Sequence, residues 1–184
     1  MMLLYPEYER RIMNKELDDK LTQSYPILYG DKHSDVELWG FQCGDGWFDI
    51  LWHLSQKLEY LIKQWLREHP RSAHIPRASI VKEKFGGLRF HMTYATPEMQ
   101  KHIDSAERLS LTTCEVCGAI GEKRMGVKIS TLCDQHNQER QMSLNRSFNE
   151  RLWSDDYQVF LGNLKSDRVS YEELARQYHI RHLK

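Results

Sequence analysis

What is scarce in this chain narrows it first. No run of apolar residues approaches the roughly 18 that a bilayer-spanning helix needs. The apolar opening MMLLY meets acidic residues at once and is too short for a secretory leader. The chain is therefore expected to be cytoplasmic, with no membrane contact. Net charge is also missing, because 26 Lys and Arg balance 26 Asp and Glu. Bulk attraction to nucleic acid or to an anionic surface is not expected, and only a local basic patch is left to supply it. Internal repeats and low-complexity linkers are absent. Cysteines number only four. In a cytoplasmic chain they point to metal binding or free thiols rather than to a disulfide framework.

What is present is an ordinary folding composition: 184 residues, 40% hydrophobic and 28% charged. That suits a single domain over 1–184. Residues 7–21 carry Tyr8, Ile12, Leu17 and Leu21 at helical spacing. The next twenty or so residues, with Pro26, Gly30, Gly40 and Gly44, read as an irregular segment packed by Tyr25, Tyr29, Trp39 and Phe41. From Gly46 the pattern sharpens. Trp47, Ile50, Leu51, Leu54, Leu58, Leu61, Ile62, Trp65 and Leu66 recur every three or four positions, with Lys57, Glu59, Lys63 and Gln64 opposite them. The helix should end before Pro70, with Asp45 as its N-cap.

Residues 78–94 alternate on both sides of Gly86-Gly87, a hairpin pattern in which glycine supplies positive φ. Thr96-Pro97 opens a further helix with Met99, Ile103, Ala106 and Leu109 as its buried stripe. A short strand within 125–132 and a helix from about Cys133 to Trp153 follow. A capping box at Ser170–Glu173 starts a C-terminal helix within 164–184. The fold class expected is α+β: helices packed on a small antiparallel hairpin, with a treble-clef-like zinc module at 112–140.

That module is the most specific chemical signal. Cys114 and Cys117, then Cys133 and His136, form C-x2-C and C-x2-H separated by fifteen residues. This is the spacing of a four-coordinate zinc site. Gly118 permits the backbone angles of a knuckle, and the second pair falls on the first turn of a helix. Three thiolates and one imidazole close the tetrahedron, so the zinc is expected to be structural. Nucleases that share the treble clef use a catalytic His ahead of the hairpin, and the segment between the Cys pairs contains no His.

Two other stretches compete for function. In QCGDGWFDIL, Cys43, Asp45 and Asp49 cluster at a helix start, where a thiol or carboxylate site is one reading and a tight helix-capping turn the other. In VKEKFGGLRF the phosphate-loop fingerprints are missing, so the glycines read as a turn. Arg71, Arg77, Lys82, Lys84 and Arg89 make this the most basic stretch and candidate contacts for nucleic acid or a partner protein. The helix at 170–180 would need a recognition helix after it to read DNA, so it is expected to pack instead.

Taken together, CGDGWFDIL, VKEKFGGLRF and LTTCEVCGAIG…TLCDQH resemble a family of small uncharacterised bacterial and prophage proteins across roughly residues 38–140. The resemblance implies cytoplasmic residence and a mobile-element context, and carries no activity with it. The expected function is a non-enzymatic interaction protein that binds and modulates a host or competitor protein. The alternatives are a nucleic-acid-binding regulator using the 71–92 basic hairpin face and the zinc module, and an enzyme centred on the Cys43–Asp49 turn. Aromatics, including five Trp and nine Tyr, can serve as interface anchors as well as core.

Overall fold

A computed structural model describes residues 12–30, 34–72, 74–126 and 128–152. The expected C-terminal helix at 164–184 lies outside them. The chain divides into two compact units after Gln138, and the elements up to the first turn of the last helix belong to the first unit. The class is α+β: five helices and two small antiparallel two-stranded sheets among the described residues, with a cluster of three Cys and one His.

Helix α1 spans Lys15–Ser24. It begins later than the apolar spacing suggests, because Asn14 caps it by accepting from the Leu17 amide at 3.0 Å. Ile12 lies ahead of the helix and is exposed, while Met13 is buried. The segment expected to be irregular contains a single-turn helix, α2, at Asp35–Trp39, capped by Ser34. Tyr25, Tyr29 and Phe41 pack as expected, but Trp39 is 65% exposed.

Helix α3, Phe48–Glu68, is the central beam. Its apolar stripe buries Ile50, Leu51, Leu54, Leu58, Leu61 and Ile62. Two local expectations are corrected. Asp45 does not cap α3: a single 3-10 turn at Asp45–Trp47 precedes the helix, and both Asp45 carboxylate oxygens instead accept from Asn14. Glu59 is not on a solvent face. It is 4% exposed and accepts from the Leu28 amide at 2.9 Å, with Lys63 beside it at 3.4 Å. A buried carboxylate needs such partners to offset its lost hydration.

Strands β1, Ala78–Lys84, and β2, Gly87–Met92, form the hairpin. Lys84 pairs with Gly87, so the two-residue loop is Phe85-Gly86, with φ of 56° and 80°. The positive angle assigned to Gly87 from sequence belongs to Phe85, at a backbone cost of roughly 1–2 kcal/mol for a residue with a Cβ. Val81, Leu88 and Phe90 face the core. Gln42 adds a parallel bridge on the β1 edge.

Helix α4, Pro97–Ser110, starts as the sequence indicated, with the Thr96 hydroxyl accepting from the Met99 amide and Pro97 in the first turn. It covers the free edge of β2. Glu107 accepts from the Phe90 amide and the Ser110 hydroxyl from the Leu88 amide. Met99, Ile103 and Ala106 are buried, whereas Leu109, expected in the same stripe, is 53% exposed. Strands β3, Glu122–Arg124, and β4, Ser130–Leu132, form the second sheet, of which β3 had no sequence signal. Helix α5, Asp134–Leu152, follows. No helix among the described residues is long and apolar enough to cross a membrane.

Candidate metal centre

The turn at Cys114–Cys117 supplies two ligand atoms, and after the β3–β4 hairpin Cys133, immediately past β4, and His136, in the first turn of α5, supply the other two. The donor atoms of Cys114, Cys117, Cys133 and His136 all lie within 4.8 Å of one another. Cys117 Sγ is 3.9 Å from Cys133 Sγ, and His136 Nδ1 is 3.6 Å from Cys114 Sγ and 3.1 Å from Cys133 Sγ. A tetrahedron with metal–sulfur bonds of about 2.3 Å has sulfur–sulfur edges of about 3.8 Å. The four residues therefore fit a metal ion such as zinc.

Local backbone prepares the ligands. Gly118 takes φ 77° just after the second thiol, and its amide donates to the Cys114 carbonyl at 2.9 Å. Burial alone would push the Cys114 thiol up. The amides of Cys133, Cys117 and Val116 oppose it and hold the thiol below its ordinary value, which favours the metal-binding thiolate. Burial and the neighbouring thiols push Cys117 up. Arg124 ties β3 to the helix start by pairing with Asp134, and also pairs with Glu122 at 2.6 Å.

The turn at 43–47 is packed directly on this loop. Gly46 donates from its amide to the Glu115 carbonyl at 2.9 Å. A Cβ on Gly46 would stand within 2.6 Å of three backbone atoms, Cys114 O, Cys117 N and Gly118 N. A Cβ on Gly44 would run into the Glu115 carbonyl. Glu115, fully buried, returns a carboxylate oxygen to the Gly44 amide at 3.1 Å. Trp47, also fully buried, donates from Nε1 to the Thr113 carbonyl at 2.9 Å. Both glycines are thus needed for close approach of two backbones.

The hairpin grips the loop from another side. Thr131 donates its hydroxyl to the Gly86 carbonyl at 2.5 Å, and its own carbonyl accepts from the Glu115 amide at 3.0 Å. Glu83 accepts from the Gly86 amide and pairs with Lys128 at 2.9 Å. Gly87 leaves room for Leu111, whose Cδ2 lies 2.9 Å from where a Cβ would be. The three motifs that stood out in sequence therefore meet around one object, the ligand loop. Glu115 and Trp47 had not been marked as parts of it. A glutamate between two ligand cysteines and a tryptophan in an apolar helix stripe carry no distinguishing pattern.

The other candidate residues fall differently. Cys43 is fully buried, and burial pushes its thiol well up, followed by the nearby Glu115 and Asp45 carboxylates. That state disfavours a nucleophilic thiolate. Asp45 is held by Asn14, and Asp49 is exposed on the first turn of α3. Among the basic residues, the register sets Lys82 opposite Arg89, with Lys84 two positions along on the same face. Arg89 reaches towards Glu107 at 4.0 Å. Arg77 donates to the Gly30 carbonyl, and Arg71 lies in the turn beyond α3.

Searches against protein-family models, curated proteins and solved structures match nothing to this chain. The family resemblance drawn above thus rests on its three motifs, of which the structure carries the metal-binding module.

Proposed function

We propose that this chain is a non-enzymatic interaction protein, cytoplasmic and of the phage or prophage type, whose Cys114–Cys117–Cys133–His136 cluster holds a structural zinc. It acts by binding a host or competitor protein and altering that protein's activity. The observation that supports this most is the closed ligand set, carried on a loop seated against the core. Three cysteines and one histidine fill four coordination positions, and the two glycine motifs pack on the loop backbone. No open position remains for an activated water, which catalytic zinc requires. Cys43, the remaining thiol, sits in the core. Thiolate ligands favour zinc over hard cations such as magnesium or calcium.

Two measurements test the reading. Elemental analysis of protein purified without added metal should return one zinc per chain. Tagged full-length protein should recover a stoichiometric protein partner from host lysate, and repeated failure to do so would overturn the interaction reading. The placement of Lys82, Lys84 and Arg89 on one hairpin face favours a second reading, nucleic-acid binding, by charge alone. It requires a mobility shift at low salt that weakens steeply as salt rises. No shift at low salt sinks it.

A further inference from the structure

The tip of the β1–β2 hairpin carries a side chain that the fold does not account for. Phe85 takes φ 56° and Gly86 φ 80°, and a two-residue loop with both angles positive favours Asn-Gly or Gly-Gly. A phenylalanine there is strained, and burial does not offset the strain, because Phe85 is 60% exposed. The loop is nonetheless held from below. Glu83 accepts from the Gly86 amide at 2.7 Å, and Thr131 donates to the Gly86 carbonyl at 2.5 Å. An exposed aromatic ring is thus presented on a fixed backbone.

The ring stands at the end of a row of donors. Cross-strand partners share a face, so the register puts Lys82, Lys84 and Arg89 on one side of the hairpin, and the bridge to Lys82 adds Gln42. Lys84 Nζ lies 5.4 Å from the Phe85 ring centroid, which sets the ring on that same side. Gly87, opposite Lys84, leaves the space over it to Leu111, itself 41% exposed. Carboxylates close by do not cancel the charge. Glu83 faces the other way and pairs with Lys128. Glu107 of α4 accepts from the Phe90 amide and stands 4.0 Å from one Arg89 nitrogen. Among the described residues, neither Lys82 nor Lys84 has an ion-pair partner.

We infer that this face binds single-stranded nucleic acid, with a base stacked on the Phe85 ring and phosphates on Lys82, Lys84 and Arg89. This goes beyond the protein-interaction reading. It rests on the nucleic-acid reading and deepens it, because the aromatic ring adds strand type to what charge alone supplies. Cations beside an exposed aromatic are how single strands are held without sequence preference. A duplex keeps its base faces stacked on one another, closed to such a ring. Lysine is depleted from protein interfaces, so two lysines among three cations favour phosphate over an acidic protein.

The test is fluorescence anisotropy on the zinc-loaded full chain at low salt, with a labelled oligothymidylate of about 12 nucleotides and a duplex of the same length. A face that works by charge alone prefers the duplex, whose charge is denser. A stacking face prefers the single strand, and that is the expected result. Phe85→Asn should weaken the oligothymidylate roughly five- to a hundredfold, the scale of one stacked base. Its melting temperature should stay level or rise, because Asn suits a positive φ. Affinity lost with stability kept excludes unfolding as the cause. Lys82→Gln combined with Lys84→Gln should flatten the slope of log affinity against log salt by about 1.4. Tighter duplex binding, or an affinity unchanged in Phe85→Asn, overturns the inference and leaves the nucleic-acid reading standing. No binding to either probe overturns both. Polyglutamate bound as tightly as the oligothymidylate overturns the inference in favour of an acidic protein.

Discussion

Residues 12–110 and residues 111–138 are held together by different physics. The first region has a core in the usual sense, with Phe41, Leu51, Leu58, Ile62, Leu88 and Ile103 almost fully removed from water. Each such side chain contributes about 1.5–3 kcal/mol by burial. The second has two three-residue strands and few apolar anchors. Ile120 and Met125 are 91% and 71% exposed, and among the described residues Leu132 is its one fully buried aliphatic side chain. What it has instead is a four-ligand cluster and a set of backbone contacts to the first region. A small module with a thin core needs such a staple. On this division a metal ion at the cluster would organise the loop itself, while the larger core positions that loop.

Separating these two contributions calls for perturbing one side at a time. The largest effect should come from stripping the metal with a chelator. Hydrogen exchange should then lose protection at the amides of Cys114, Gly118 and Asn137, which donate at 2.7–3.0 Å within the loop and the helix start. Amides in the middle of α3 should keep theirs. Equal loss in both regions would break the division. Next, Trp47→Ala removes a fully buried indole and its bond to Thr113, and should cost about 3–5 kcal/mol in denaturant unfolding. Protection should fall on both sides of the contact.

Gly46→Ala is the sharper probe. The added methyl has no flexible neighbour to displace, only backbone, and the cost should be about 1–3 kcal/mol. It should also weaken zinc retention in a competition with a chromogenic chelator, although Gly46 is not a ligand. Unchanged retention would mean that the loop forms without its seat. The smallest effect lies within the first region. Burial raises the Asp18 carboxyl, partly offset by the Phe41 amide at 3.3 Å, with Asp19 and Glu37 adding to the rise and Lys15 opposing it. Its folded pKa exceeds the unfolded one, so its contribution is present at low pH and is lost as pH rises through the carboxylate range. Asp18→Asn should gain slightly over the native chain at neutral pH, and the gap should close on acidification.

Much of this was legible beforehand because the signals were local. The periodicity of α3, the Thr96-Pro97 start of α4 and the spacing of the four ligands each depend on residues near one another in sequence. The parts that were not legible depend on partners far away. Asp45 looks like a cap until Asn14 is seen to claim it, and Glu59 looks solvent-facing until the Leu28 amide needs an acceptor. Leu109 fits the buried stripe of α4 by spacing, yet it stands half exposed, with no local signal to mark it off from Met99, Ile103 and Ala106. In CGDGW the pattern of glycines was visible and its purpose was not, because the backbone they accommodate belongs to residues 114–118. The hairpin turn went wrong by one position, since Gly86-Gly87 marks both a turn residue and a close approach to Leu111.

The contacts joining Gly44 to Glu115 and Trp47 to Thr113 bridge 71 and 66 residues. During synthesis the N-terminal part of a chain is available to fold first. The start of α3 and the Phe85-Gly86 loop are therefore synthesised before Cys133 and His136, and can serve as their mould. A chain whose α3 start has misfolded presents no seat for Glu115, and its late-arriving ligands meet an unplaced half-site. Metal capture at such a site would depend on the part of the chain made earlier.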